Sequence, residues 1–147
     1  LKAFLDELDM PLNHIKPHGS LYVMASKDEE MSRAIADAVT PFNVSIYGMA
    51  NTAHEKIYKE ERKLDFVAEF YADLDYDKNG KLVIAKGKNA IYDSNLAVER
   101  ALRAVSEKKV KTTSGTDIDV GCDTICVHSD TPNAVEIITS IKSALKK

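Results

Sequence analysis

The sequence predicts an α/β fold of parallel strands covered by helices, and three observations point there. Short β-branched and aromatic runs alternate regularly with amphipathic stretches of helical period. Three of those runs turn polar on one face near their C-terminal ends, where a parallel α/β fold places its ligand site. The chain has 147 residues and 44% hydrophobic content, enough for one core and short for two, so a single domain over residues 1–147 is expected.

Taken in order, residues 1–9 read as an amphipathic helical tail, and LNHIKPHGSLY (12–22) as a short strand running into a loop. In SKDEEMSRAIADAV (26–39), Met31, Ala34, Ile35, Ala38 and Val39 follow a helical stripe, and Ser26 with Glu29 has capping-box spacing. NVSIYGMA (43–50) is a strand, and NTAHEKIYKEERK (51–63) a more polar helix opened by Thr52 and Glu55. LDFVAEFYADLDY (64–76) is the strongest strand signal. DSNLAVERALRAVSEKK (93–109) is a long helix with Ala97, Val98, Ala101, Leu102 and Val105 on one face. DTICVHSD (123–130) is the fourth strand. TPNAVEIITSIKSALKK (131–147) is the last helix, with Thr131 as N-cap and Pro132 at the first helical position.

DLDYDKNGKLVIAK (73–86) has the alternating acids of a calcium loop. An EF-hand loop begun at Asp75 needs a bidentate Glu at its twelfth position, where this chain has Lys86. The stretch reads instead as a strand end at Asp73, a tight turn at Asp77–Gly80, and a returning strand or lid segment, KLVIA (81–85).

A net charge of −3 without a cluster of Lys or Arg argues against nucleic acid. Cys122 and Cys126 would lie about 13 Å apart in an extended segment, too far for a disulfide, so a reducing cytoplasm is the expected setting. No signal peptide is expected from the sequence, which has no apolar run near the ~18 residues that a membrane span needs.

Three strand ends carry the chemistry. His14, Lys16 and His18 share one face; so do Glu69, Tyr71 and Asp73; so do Cys126, His128 and Asp130. Any one of these could be a cap, a turn former or a satisfied surface group. Lys16, the rigid Pro17 and His18 together hold a cation and an imidazole on one face, which favours a functional role. Carboxylates, imidazoles and a lysine at strand ends suit acid–base work on a carbonyl or activation of water. Zinc or a similar ion is an alternative, since His and Asp are good ligands. The sequence has no HExxH, paired CxxC or phosphate-cradling loop. The N-terminus of the last helix, after HSDTP, offers N–H groups to an anionic substrate such as a carboxylate.

IKPHGSLY (15–22), EFYADLDYDKNGKLV (69–83) and DTICVHSDTPNAV (123–135) together resemble the LamB/YcsF lactam utilization family across essentially the whole chain. The resemblance implies an irregular, partial TIM-like β/α barrel of about four strand-helix units. It further implies the role of an A-like subunit in ATP-dependent opening of 5-oxoproline to L-glutamate, a hydrolysis of a cyclic amide, with subunits B and C as partners. ATP would act through the assembled complex, and a divalent metal is possible. Carried over residue by residue, it makes Lys16, His18, Asp73, His128 and Asp130 catalytic and Gly19, Tyr22 and Glu69 substrate-binding.

Two motifs depart from the family's pattern. Leu74 stands where members often carry Arg in ADRxY, and Ser129 makes HSD where HGD is common. VIAK also replaces a Pro-Arg pair, so a cationic substrate contact is absent or supplied by another residue. A complete barrel of this kind needs ~250 residues, so strands preceding Leu1 and a covering partner are expected before this chain turns over substrate. Two other readings compete: a metal-dependent deacetylase-like hydrolase on a similar barrel, and a truncated, non-catalytic binding subunit.

Overall fold

The computed structural model describes residues 1–84, 91 and 93–146. They form two compact units, Leu1–Val67 and Ala68–Lys147. Each unit holds a pair of parallel strands, and strands alternate with helical segments along the chain as the predicted α/β pattern requires.

In the first unit, helix α1 (Lys2–Glu7) buries none of its residues. Strand β1 (His14–Ile15) pairs in parallel with β2 (Ser45–Gly48), His14 opposite Ser45 and Ile15 opposite Ile46. On its other side β2 meets the start of β3 (Phe66–Tyr71), where the Ile46 amide donates to Asp65. The core gathers Ala36, Val39, Ile46, Ile57 and Tyr58, with Ile15, Ile35, Leu64 and Phe66 packed against it.

Several expectations fail here for local reasons. The loop expected after β1 is helix α2 (Gly19–Ala25), entered through Gly19 at φ +60, a left-handed conformation that glycine adopts without strain. Helix α3 (Glu29–Val39) is capped by Asp28, whose carboxylate accepts from the Met31 amide, and not by Ser26. The Ser26 hydroxyl instead bonds back to the Val23 carbonyl at the end of α2. The buried face of α3 is Ser32, Ala36 and Val39, while Ala34 and Ala38 are exposed. Ser32 can face inward because its hydroxyl donates to the Ala25 carbonyl at 2.7 Å, leaving no unsatisfied polar group.

A 3-10 turn (Thr40–Phe42) follows α3. The second predicted helix is wound over Glu55–Glu61 as a π-helix. The wider turn accommodates Ile57 and Tyr58, adjacent in sequence and both fully buried. Its entry is a modified capping box: the Glu55 carboxylate takes the Asn51 amide, and the Thr52 hydroxyl takes the His54 amide. Gly48 is needed where it stands, since a Cβ there would lie 2.8 Å from Phe66 and 2.9 Å from His54.

In the second unit, the remainder of β3 pairs in parallel with β8 (Thr124–Cys126), in the register Glu69 to Thr124, Phe70 to Ile125 and Tyr71 to Cys126. The predicted turn at Asp77–Gly80 joins β4 (Asp75–Tyr76) to β5 (Leu82–Val83), and Gly80 sits at φ +75. Asp77 Oδ1 accepts from the amides of Asn79 and Lys81, so this acid closes a hairpin in place of a cation loop. The last residue of the predicted returning strand, Ala85, lies outside the described residues.

Helix α4 (Ser94–Ser106) is capped by Asp93 and packs against α5 (Ala134–Ala144). Its buried face is Ala97, Arg100, Ala101 and Ala104; Leu102 and Val105, assigned inward by periodicity, are exposed. Alanines at the contact let the two helices approach closely, which large side chains would prevent. The sequence reading missed a second hairpin, β6 (Lys109–Lys111) and β7 (Asp117–Asp119), and with it the early end of α4. The last helix also starts later than expected. Its N-cap is Asn133, and Thr131 does not cap it.

Candidate functional site

The site in the second unit begins with a strand that runs out. Past Tyr71, the end of β3, the Ala72 amide still reaches the Cys126 carbonyl, and the Asp73 carbonyl accepts from the Ile91 amide. The backbone of Asp73 is thereby fixed while its carboxylate projects, fully buried, toward residues 128–131.

Three donors converge on Asp73 Oδ2: the His128 amide at 2.7 Å, the Thr131 hydroxyl at 2.9 Å and His128 Nδ1 at 3.1 Å. Nδ1 lies 3.1 Å from Oδ1 as well. Burial alone would push Asp73 up. The His128 ring and amide bonds, the charge attraction of His128 and the Thr131 hydroxyl outweigh it and hold this carboxyl below its ordinary value. An ionised carboxylate at Nδ1 favours the tautomer with the proton on that nitrogen, which leaves the lone pair on Nε2. The His128 side chain is 39% exposed, so the ring is open to solvent while its carboxylate neighbour is not.

The ring also has a floor. Tyr71 stacks on His128, with centroids 5.5 Å apart and planes 20° from parallel. The Tyr71 hydroxyl donates to Glu69 Oε2 at 2.9 Å, and the Tyr71 amide donates to the Tyr76 hydroxyl at 2.9 Å. Glu69 and Tyr71 share a face, as strand parity predicted. Asp73 and His128 lie beyond the ends of β3 and β8, so turns, and not strand alternation, bring them together. Asp130 is exposed and is not part of the hydrogen bonding to Asp73.

Helix α4 supplies a buried cation. Arg100 Nη2 donates to the Leu74 carbonyl at 2.5 Å, and Nη1 lies 3.6 Å from Asp75. Burial pulls its basicity down, against the opposing charges of Asp75, Tyr76 and Asp73. A guanidinium thus adjoins the turn at Leu74 although position 74 itself is apolar.

The remaining predicted residues belong to the first unit. Lys16 is half-buried, with its ammonium 5.9 Å from the centroid of the Tyr22 ring, and Tyr22 is buried. His18 is exposed at the N-cap of α2 beside Gly19, past the end of β1, so the strand face expected to align it with His14 and Lys16 is not formed. Sequence reasoning passed over His54, which is fully buried between Tyr58, stacked at 5.1 Å, and Tyr22, edge-on at 4.6 Å. Its Nδ1 accepts the Met49 amide, and burial pushes it down to about 4 against a weaker opposing pull from the Tyr22 backbone.

Thr131 and Arg100 were also missed as neighbours of the site. Thr131 carries every sign of an N-cap, and Arg100 lies seven places into a helix whose apolar stripe assigned it outward. Only an Arg within an alanine face (97, 101, 104) hinted at a buried guanidinium.

In the Asp73–His128 pair, Oδ2 accepts from the His128 amide and the Thr131 hydroxyl, and Nδ1 is committed to the carboxylate. Among the described residues, no group of three or more His, Cys, Asp or Glu could hold a metal ion, and no helix is long and apolar enough to cross a membrane. Cys122 and Cys126 are not joined in a disulfide.

Comparison with known proteins bears on the family and the fold. The family model described as LamB/YcsF family matches residues 1–147. The chain is 38% identical over 150 residues to the A-type subunit of 5-oxoprolinase from Campylobacter jejuni subsp. doylei, covering 100% of this chain and 58% of that protein. It is 39% identical over 149 residues to the protein of the same name from Oceanobacillus iheyensis, covering 99% and 58%. The crystal structure of a lactam utilization protein from Thermus thermophilus superposes with a TM-score of 0.87 at 36% identity, over 99% of this chain and 58% of that one. This likeness supports the expected fold class, an α/β fold of the partial TIM-like barrel type. The chain spans a little over half the length of the relatives it matches.

Proposed function

The chain belongs to the LamB/YcsF family, and we propose that it is an A-like subunit of a cytoplasmic, ATP-dependent 5-oxoprolinase that opens the lactam of 5-oxoproline to give L-glutamate. The observation that carries this reading is the pairing of a buried, ionised Asp73 with Nδ1 of a half-exposed His128. That arrangement makes Nε2 a general base. In the proposed step, Nε2 takes a proton from water as the water oxygen bonds to the lactam carbonyl carbon. The same proton passes to the ring nitrogen of the lactam as the carbon–nitrogen bond breaks, which leaves an amine and a carboxylic acid; the acid's proton then moves to the amine, giving a carboxylate and an ammonium group. Asp73 orients the imidazole and stabilises the imidazolium that forms between the two transfers.

Glu69 is proposed as a substrate-side carboxylate held by Tyr71, and Asp130 as a further acid in the exposed turn. Lys16 and His18 stand as catalytic candidates of the first unit, with Gly19 and Tyr22 as substrate contacts. The sequence has no phosphate-cradling loop, so ATP is assigned to the assembly with B-like and C-like subunits, and no step of this chain runs through it.

The test is reconstitution with B-like and C-like subunits, following release of phosphate and glutamate that depends on 5-oxoproline. Lys16→Met, His18→Gln and His128→Gln are each expected to lower turnover, His128→Gln by about 10²- to 10⁴-fold. Turnover unchanged in the His128→Gln assembly would sink the reading.

A further inference from the structure

Thr131 looks in sequence like the cap of the last helix, but its hydroxyl serves a different element. The N-cap is Asn133, and Thr131 Oγ1 donates to Asp73 Oδ2 across 58 residues of chain at 2.9 Å. Thr131 is buried, and its backbone is pinned on both sides: its amide donates to the His128 carbonyl, and its carbonyl accepts from the Ala134 amide. Its β-branched side chain is stiff at χ1, so once the backbone is set the hydroxyl has little freedom. The turn 128–131 therefore carries both the imidazole and the group that fixes the imidazole's carboxylate. The Thr131 hydroxyl and the His128 amide on Oδ2 oppose rotation of the carboxylate, whose two oxygens both lie 3.1 Å from Nδ1.

We propose that Thr131 is a positioning residue for the Asp73–His128 pair: its hydroxyl holds the carboxylate in the one orientation that keeps the proton on Nδ1 and the basic lone pair on Nε2. This inference rests on the general-base reading of His128 and adds to it the residue that sets the pair's geometry.

The experiment follows the His128 imidazole through its titration by NMR in the purified protein, with the resonance assigned by its loss in His128→Gln. Thr131→Val keeps the shape and removes the donor. Freed of that donor, the carboxylate can turn away from Nδ1 and holds the imidazolium less strongly, and the midpoint of His128 is expected to fall by about half a unit or more. Thr131→Ser restores the hydroxyl and is expected to return the midpoint toward wild type. Asp73 and Tyr71 contact the ring, with Glu69 reached through Tyr71, and these are unchanged in both variants. A Thr131→Val protein that melts earlier while His128 titrates at its original midpoint would reduce Thr131 to a structural role and overturn the proposal. Asp73→Asn separates the two layers, since it should lower the His128 midpoint. If it does not, the pair itself fails and not only the role of Thr131.

Discussion

His54 in the first unit and Asp73 in the second are both fully buried and both titrate below their ordinary values, for opposite reasons. His54 lies among aromatic rings, and burial disfavours its charged form and pushes it down to about 4. Asp73 meets the same desolvation, yet donors from His128 and Thr131 favour its charged form and win. One site keeps a neutral ring out of water as part of a core. The other keeps a charge out of water and couples it to an imidazole that water can reach. Only the second arrangement can move a proton at neutral pH, and for this reason His128, and not the more deeply buried histidine, carries the proposed chemistry.

The largest effect expected from this contrast lies in turnover by the reconstituted assembly. Asp73→Asn and His128→Gln should each reduce it by about 10²- to 10⁴-fold. If the two act as a unit, the double variant should be little worse than either single one. Losses that multiply in the double variant would mean that the carboxylate and the ring contribute separately, and the contrast with His54 would lose its functional meaning.

The next effect is on stability, and it separates the two units by pH. An unfolded histidine takes up a proton near 6.5, whereas folded His54 resists until about 4, so between those values the unfolded chain binds more protons. Stability from His54 is thus fully present above pH 6.5 and is lost as pH falls toward 4. The difference of two to three units corresponds to roughly 3 kcal/mol at about 1.4 kcal/mol per unit. Asp73 contributes in the same direction but in a lower window: its share is present above the ordinary carboxylate value of about 3.9 and is lost as pH falls through its lowered folded value. Urea unfolding between pH 4 and 7 should show the slope in the wild type and lose it in His54→Phe. The same slope in both proteins would assign the effect to other groups.

Strand parity in the sequence located Glu69 and Tyr71, and residue type at strand ends pointed to Asp73 and His128. Those cues work because a strand's two faces and a parallel sheet's carboxyl edge are local consequences of backbone geometry. Thr131 was misread because a hydroxyl before Pro can cap its own helix or reach a distant carboxylate, and only the tertiary fold decides between them. The hairpin of β6 and β7 was invisible because each strand has a single central apolar residue, Val110 or Ile118, between charged neighbours. The π-helix could not be foreseen either, since its hydrogen bonds reach one residue further than those of an α-helix and the polar pattern is little changed. In α3, a serine on the buried face rotated the expected stripe, because its satisfied hydroxyl counts as apolar only once Ala25 is in place.

The smallest predicted effect uses a second acid from the segment that looked like a calcium loop. Asp77 lies four residues beyond Asp73 and also accepts several donors, yet those donors are the amides of Asn79 and Lys81 within its own turn. Its work is local: it holds the hairpin of β4 and β5 closed over the Gly80 turn. Asp77→Ala should therefore cost about 1 kcal/mol in urea unfolding at neutral pH. It should leave the NMR titration of His128 where it is, because no donor to Asp73 is touched. A shift of the His128 midpoint in Asp77→Ala would show that the hairpin and the Asp73 turn are coupled, so that the carboxylate's orientation depends on more than the donors from residues 128–131. An unchanged midpoint, set beside the shift expected in Thr131→Val, would confine control of the pair to the turn that carries His128.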